Sequence, residues 1–237
     1  MRGCNLRCPY CYNTELVVPQ DAANDNCSQA QDGGARRPKD QPHFVSIQDI
    51  IAHLKKRANV LSGFVISGGE PLCHPDIVRD LILKARSLGY KIKLDTNGSF
   101  PDRLQALLSD PAARPDYIAL DVKTSPARYK ELQACAAQEA FQAQDAGQKI
   151  VDSIKILSAL SADAREFRTV LYPPLVGRAE IEEIASLLPS DARWYFARFL
   201  NGRCLSAEAE KIFPYDEKTE ADLVELARAK IPGASLR

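Results

Sequence analysis

What this chain lacks bounds it first. Neither sign of charge prevails: 31 lysines and arginines stand against 31 aspartates and glutamates, for a formal net charge of zero. A broad nucleic-acid surface announces itself through excess positive charge, so no nucleic-acid partner is expected. No run of about 18 apolar residues occurs, so no helix is expected to span a membrane. The first residues hold no apolar stretch of the kind found in a secretory leader. No internal repeat is found. The cysteines number seven, an odd total that suits a disulfide framework poorly and, without a leader, points to a reducing, cytoplasmic setting. Apolar residues, by contrast, are plentiful. At 45% of 237 residues they suffice for the core of one α/β domain of barrel type, or of two smaller ones.

The chain is organised around Gly3-Cys4-Asn5-Leu6-Arg7-Cys8-Pro9-Tyr10-Cys11-Tyr12-Asn13. Cys4, Cys8 and Cys11 stand at C-x3-C-x2-C spacing, and no fourth cysteine follows in register. Thiolates hold iron–sulfur clusters, and a complete cube takes four of them. Three on one tight loop leave one iron with an open position, where a substrate or cofactor can bind. The alternatives are a zinc knot and a disulfide loop. Structural zinc needs four closed ligands, and no C-x2-C or H-x3-H partner appears downstream.

Residues 20–42 are polar and poor in aliphatics, so they cannot offset their ordering entropy and are expected to form a mobile surface loop around Cys27. Ser46 is expected to cap a helix with Ile47, Ile50, Ile51 and Leu54 on its inner face. A short buried strand follows from Gly63 to Ser67. Pro75 opens a second helix, with Ile77, Leu81, Ile82, Ala85 and Leu88 inward and Gly89 at its end. Four more strands are expected at Tyr90–Asp95, Tyr117–Val122, Phe167–Leu171 and Trp194–Phe199. Helices are expected around Arg103–Leu108, on to about Leu160, over Ala179–Leu188, and at Thr219–Lys230 within a C-terminal extension over 200–237. Strands alternating with helices mean a parallel sheet with right-handed crossovers. The polar motifs Gly68 to Glu70, Asp95 to Gly98 and Asp121 to Lys123 all fall just after strands, at the end that carries the active site in barrel-like folds. No room for a strand precedes Gly3. The strand near Gly63 is therefore expected to have an unpaired edge, and the cysteine loop to be tethered on one side only.

With Tyr10 just before its last cysteine, the loop resembles the signature of the radical S-adenosylmethionine (SAM) enzymes. Gly68-Gly69-Glu70-Pro71 resembles their Gly-Gly-Glu turn after a strand. The resemblance implies a single radical SAM domain over 1–237, a partial (β/α)6 TIM-type barrel whose first strand is missing at the N-terminus. It implies that Cys4, Cys8 and Cys11 hold three irons of a [4Fe–4S] cluster, and that the fourth iron chelates the amino and carboxylate groups of SAM. It sets the Tyr10 backbone against the adenine, though its ring can simply pack on the barrel, and the Gly68-Gly69-Glu70 segment against the SAM ammonium, with Glu70 contributing through charge or by shaping the turn.

Asp95-Thr96-Asn97-Gly98 together with Asp121-Val122-Lys123 resembles the activating enzymes of glycyl-radical enzymes, in which such positions contact SAM and a monovalent cation. Two close carboxylates need a cation or a lysine between them. The alternative is that each motif caps a helix. Arg168 resembles an arginine that these activases aim at the same pocket. Within the activases, the chain most resembles the activating proteins of anaerobic ribonucleoside-triphosphate reductase, although Tyr12 departs from their usual histidine. The implied chemistry is reductive cleavage of SAM to a 5′-deoxyadenosyl radical, which takes a hydrogen from a glycine of a partner enzyme. A flavodoxin- or ferredoxin-like protein would supply the electron. One rival is a small-molecule enzyme such as 7-carboxy-7-deazaguanine synthase; the other is a truncated, non-catalytic copy. Cys73, His74, Cys135 and Cys204 show no spacing of a second ligand set, and Cys135 suits a buried helix position.

Overall fold

The computed structural model describes residues 1–17, 45–132 and 146–237. The polar stretch 20–42 with Cys27, and Cys135 with the helical stretch expected around it, lie outside the described residues. Among those described, six parallel strands form one sheet in the order β1 to β6: β1 (Gly63–Ile66), β2 (Lys91–Thr96), β3 (Tyr117–Asp121), β4 (Arg165–Leu171), β5 (Trp194–Arg198) and β6 (Ala234–Leu236). The intervening helices are α3 (Pro75–Ser87), α4 (Pro101–Ser109), α5 (Ala146–Ser158), α6 (Arg178–Leu187) and α7 (Glu217–Arg228). A one-turn α1 (Thr14–Val17) and α2 (Ile47–Arg57) precede β1. Strand order follows chain order, as repeated right-handed βα units require. β1 and β6 do not pair, so the sheet is a partial barrel, consistent with a radical SAM type and open along one side.

Alternation along the strands makes two unlike faces. Ile92 and Leu94 of β2, Ile118 and Leu120 of β3, and Phe167 and Leu171 of β4 are buried in the core that the helices cover. Most of the intervening residues are ionic and join across the strands: Lys93 lies 3.0 Å from Glu166, and Arg168 lies 3.1 Å from Asp95 and 2.7 Å from Asp121. The sequence thus builds an apolar shell around a charged concave face.

Ser46 caps α2 as expected, accepting from the Asp49 N–H at 3.1 Å. Three expectations about the helices and strands change. In α3 the inward residues are Val78, Leu81, Ile82 and Ala85, an i, i+3, i+4, i+7 set, whereas Ile77 is 39% exposed. β1 has the unpaired edge expected of it but is not buried, since only Ile66 is buried and Val65 is exposed. β6 was not expected at all: Ala234-Ser235-Leu236 is too short to show a period, and it is a strand because it pairs with β5 at Trp194↔Ala234.

The cysteine loop is held on both sides, against expectation. The Met1 amine donates to Ser67 O at 2.7 Å, the Gly69 N–H to Met1 O at 2.9 Å, and the Glu70 N–H to Gly3 O at 2.8 Å. Downstream, the Gly3 N–H reaches Leu16 O and the Arg7 N–H reaches Leu132 O, each at 2.7 Å.

Candidate active site

A cavity of about 610 Å³ opens where the C-terminal ends of β1 to β5 meet the cysteine loop. Cys4, Cys8, Tyr10 and Cys11 line it from the loop, and Gly68 and Gly69 from the turn after β1. Asp95, Thr96 and Asn97 reach it from the end of β2, Asp121 and Lys123 from the end of β3, and Arg168 from β4. Of the residues that the resemblance assigns to the cluster and to SAM, only Glu70 is not on its wall. A second, more open hollow of about 700 Å³ lies against α7. It carries no thiol and none of the motif residues.

The three cysteines are free thiols. Cys8 is buried, and burial pushes its pKa up to about 12 although the nearby Lys123 ammonium works the other way. Burial likewise raises the Cys4 thiol, while the Leu6 N–H, 3.4 Å from its sulfur, opposes the shift. Such thiols shed protons only when a metal's charge replaces them. Among the described residues, no three His, Cys, Asp or Glu side chains gather closely enough for one metal ion. A cluster makes no such demand, because each thiolate binds a different iron. The donor set therefore fits a multinuclear cluster better than a single ion.

Glycine is obligatory in the turn after β1 because the N-terminal backbone lies against it. A Cβ on Gly68, where φ is +137°, would run into the Met1 carbonyl, and one on Gly69 into that of Gly3. Glu70 sits behind this contact, with no exposed surface. Its carboxyl accepts from the Leu72 N–H (2.9 Å), the Thr96 hydroxyl (2.8 Å) and the Asn97 N–H (2.6 Å). Burial pushes it up to about 7 against those three donors.

On the facing wall, Arg168 stands between the two strand-end carboxylates. Its Nε reaches Asp121 at 2.7 Å and its Nη1 reaches Asp95 at 3.1 Å, the place where a cation or a lysine is called for. Lys123 Nζ lies 3.4 Å from Asp121. Burial would raise the Asp121 carboxyl, but Lys123 and Arg168 hold it below its ordinary value. Burial would also discharge Lys123, yet Asp121 keeps its pKa well above the usual range. Asp95 Oδ1 is buried without a hydrogen-bond partner, with Lys93 Nζ 3.6 Å away.

Neither aspartate caps a helix, since both lie within strands, and the N-cap of α4 is Phe100 rather than Asn97. The Tyr10 ring packs on Tyr172 (centroids 4.9 Å apart), which packs in turn on Phe199 (4.8 Å), and the buried Tyr10 hydroxyl has no partner. Arg7 braces the loop by donating to Cys4 O at 2.7 Å and Leu6 O at 3.1 Å. Cys73 and His74 do not line the cavity. Cys73 is half-buried beside Cys4, its thiol pushed up to about 12 by burial and by the Glu70 charge, and His74 Nε2 contacts Arg2 O at 2.9 Å. Cys204 is buried. Tyr12, Asn13, Phe199, Leu200 and Arg203 also line the wall, and nothing in the sequence pattern distinguished the last three.

Comparison with known proteins agrees with this geometry. A candidate glycyl-radical enzyme activating enzyme of Methanocaldococcus jannaschii is 26% identical over 99% of this chain and 85% of its own length. A 7-carboxy-7-deazaguanine synthase of Methanopyrus kandleri is 30% identical, but over 51% of this chain and 46% of its own length. The crystal structure of a domain of pyruvate-formate lyase-activating enzyme from Bacteroides vulgatus superposes with a TM-score of 0.53. That match covers 75% of this chain and 98% of the other, and at 15% identity it speaks for the fold alone. The family model described as the radical SAM superfamily matches residues 1–188, which include the three-cysteine loop, the Gly-Gly-Glu turn and the strand ends around the cavity; this chain belongs to the radical SAM superfamily.

Proposed function

We propose that this chain is an activating enzyme that installs a glycyl radical on a partner protein, an anaerobic ribonucleotide reductase being the partner class. The observation that carries this reading is that the mouth is laterally open among the described residues. β1 and β6 leave the sheet unclosed, and Tyr12 and Leu200 stand on the cavity wall 68% and 76% exposed. An open, partly apolar rim suits entry of a peptide loop better than enclosure of a free small molecule. The relative matched over nearly the whole chain, named for glycyl-radical activation, supports the same reading.

Membership of the family implies a [4Fe–4S] cluster and SAM. Cys4, Cys8 and Cys11 would hold the cluster. Gly68, Gly69, Tyr10, Asp95, Thr96, Asp121, Lys123 and Arg168 offer the wall against which SAM would lie. When bound, the cluster supplies one electron to the SAM sulfonium, whose cleavage provides the agent that takes a hydrogen atom from the partner's glycine. The chain's own part is positional and electrostatic. Lys123 keeps a positive charge beside Cys8, where thiolate charge must be carried. Arg168 joins Asp95 and Asp121 across the strand ends, and Lys123 takes the second oxygen of Asp121. The Tyr10 ring, packed on Tyr172, holds the last turn of the cysteine loop in place. We read 1–237 as one domain, working in an anaerobic cytoplasm with a flavodoxin- or ferredoxin-like donor.

A second reading, a 7-carboxy-7-deazaguanine synthase-like enzyme, is favoured by the 30% identity over half the chain. Anaerobic co-expression with an anaerobic ribonucleotide reductase separates the two. A glycine-centred radical in electron paramagnetic resonance supports activation. Turnover of a pterin substrate without that signal gives the case to the second reading. Absence of both, with no 5′-deoxyadenosine formed, marks a non-catalytic copy.

A further inference from the structure

We propose that Asn97 is a positioning residue for the iron–sulfur cluster: its side-chain amide donates a hydrogen bond to the Cys4 sulfur and thereby sets how readily the cluster is reduced. The proposal rests on Cys4 being a cluster ligand.

Asn97 Nδ2 lies 3.7 Å from Cys4 Sγ, within reach for a sulfur acceptor, and 3.1 Å from Asn5 Oδ1. Its two N–H groups are thus both directed. Its Oδ1 accepts from the Ser99 N–H at 2.9 Å and from the Ser99 hydroxyl at 2.6 Å. These partners fix the amide's orientation. Turned over, it would point its oxygen at Asn5 Oδ1 and at the sulfur, and its NH2 at the Ser99 N–H. The backbone is fixed as well, since the Asn97 N–H donates to Glu70 at 2.6 Å. Asn97 is 4% exposed, so water cannot readily replace the amide. With every polar atom of the side chain engaged, no donor is left over for SAM. The sequence suggested a SAM contact here; the geometry points instead to the sulfur.

Donors to a ligating sulfur stabilise negative charge, and one-electron reduction adds negative charge to the cluster. The Asn97 amide and the Leu6 N–H at 3.4 Å both act on Cys4 in that sense. Removing the amide makes the cluster harder to reduce.

The test is a redox titration, followed by electron paramagnetic resonance, of anaerobically reconstituted wild type, Asn97→Ala and Ser99→Ala. At a fixed potential, Asn97→Ala should show a ratio of reduced to oxidised cluster roughly three- to tenfold lower, about 30 to 60 mV for a one-electron couple. Ser99→Ala, which loosens the amide without removing it, should shift the same way by less. Equal midpoints in wild type and Asn97→Ala at equal iron content overturn the proposal. Should Asn97→Ala fail to hold iron, Asn97→Ser decides by the same two outcomes, because its side chain is too short to reach Cys4. Loss of iron from both variants while they stay folded overturns the tuning role. A wild type that binds no iron overturns the cluster reading itself, and the iron assay shows this before any potential is measured.

Discussion

Arg168→Met tests the charge arrangement opposite the cysteine loop. The substitution keeps most of the apolar length and removes the guanidinium that joins Asp95 and Asp121 at 3.1 and 2.7 Å. Breaking a fully buried pair costs about 3 to 5 kcal/mol, and an exposed pair is worth roughly 0.2 to 1 kcal/mol. The Arg168 side chain is 27% exposed, between those limits. Lys93, 3.6 Å from Asp95, and Lys123, 3.4 Å from Asp121, compensate in part. A loss of about 2 kcal/mol follows. At roughly 2 to 4 °C per kcal/mol for a chain of this size, Tm should fall by about 4 to 8 °C. The variant also leaves two carboxylates without the cation between them, so a small monovalent cation should now bind there. Thermal unfolding in potassium chloride and in choline chloride of equal ionic strength separates that binding from screening. Potassium should recover part of the lost Tm in Arg168→Met and none in wild type. An unchanged Tm, or equal recovery with choline, refutes the reasoning.

Cys8→Ser should abolish iron loading and the broad visible absorbance of the reconstituted protein, whereas Cys73→Ser, outside the cavity, should load normally; equal loss in both would displace the ligand assignment. Lys123→Ala should weaken SAM binding ten- to a hundredfold, the effect of losing a charge-assisted contact of about 1.5 to 3 kcal/mol, with iron content unchanged, as equilibrium dialysis would show. Glu70 carries a pH signature. Its carboxyl is raised from 4.5 to about 7 in the fold, so its contribution to stability is fully present below pH 4.5 and lost as pH rises through 7. Relative to Glu70→Gln, wild type should lose roughly 3 kcal/mol over that window, at about 1.4 kcal/mol per pH unit, in urea unfolding. A flat difference would mean that its three donors, rather than burial, control the group.

The parallel sheet and the assembly of the site were legible because both rest on short-range signals. Apolar runs bounded by Gly-Gly-Glu, Asp-Thr-Asn-Gly and Asp-Val-Lys marked the ends of β1, β2 and β3, and in a parallel sheet all such ends lie on one rim. β6 stayed hidden because three residues carry no period and take their conformation from Trp194 and Phe196 on β5. Ile77 was assigned inward because a one-residue offset in a helical stripe is nearly invisible when both Ile77 and Val78 are apolar. Phe199, Leu200 and Arg203 reach the cavity only through the course of the segment after β5, which no local pattern encodes. Contacts between distant backbones were out of reach altogether. Met1 and Gly3 lying on Gly68 and Gly69 is a fact of tertiary packing, and so the cysteine loop looked tethered on one side when it is held on two.

Those backbone contacts change what the motif residues are for. The Gly-Gly pair is required first by the N-terminal chain that lies on it, whatever ligand also approaches. Glu70, for which the resemblance left open a charge beside the cofactor or a part in shaping the turn, is not on the cavity wall. Its N–H takes the Gly3 carbonyl, and its carboxyl takes Leu72, Thr96 and Asn97, so one residue joins the cysteine loop to the ends of both β1 and β2. Asn97, held there, turns its amide to Cys4. The order of dependence runs from glycine to glutamate to asparagine to thiol. Glu70→Gln, which exchanges an oxygen for an NH2 among three donors, should therefore disturb Cys4 more than its distance from the cavity suggests, whereas Asn97→Ala leaves the glutamate's own contacts to Leu72 and Thr96 intact.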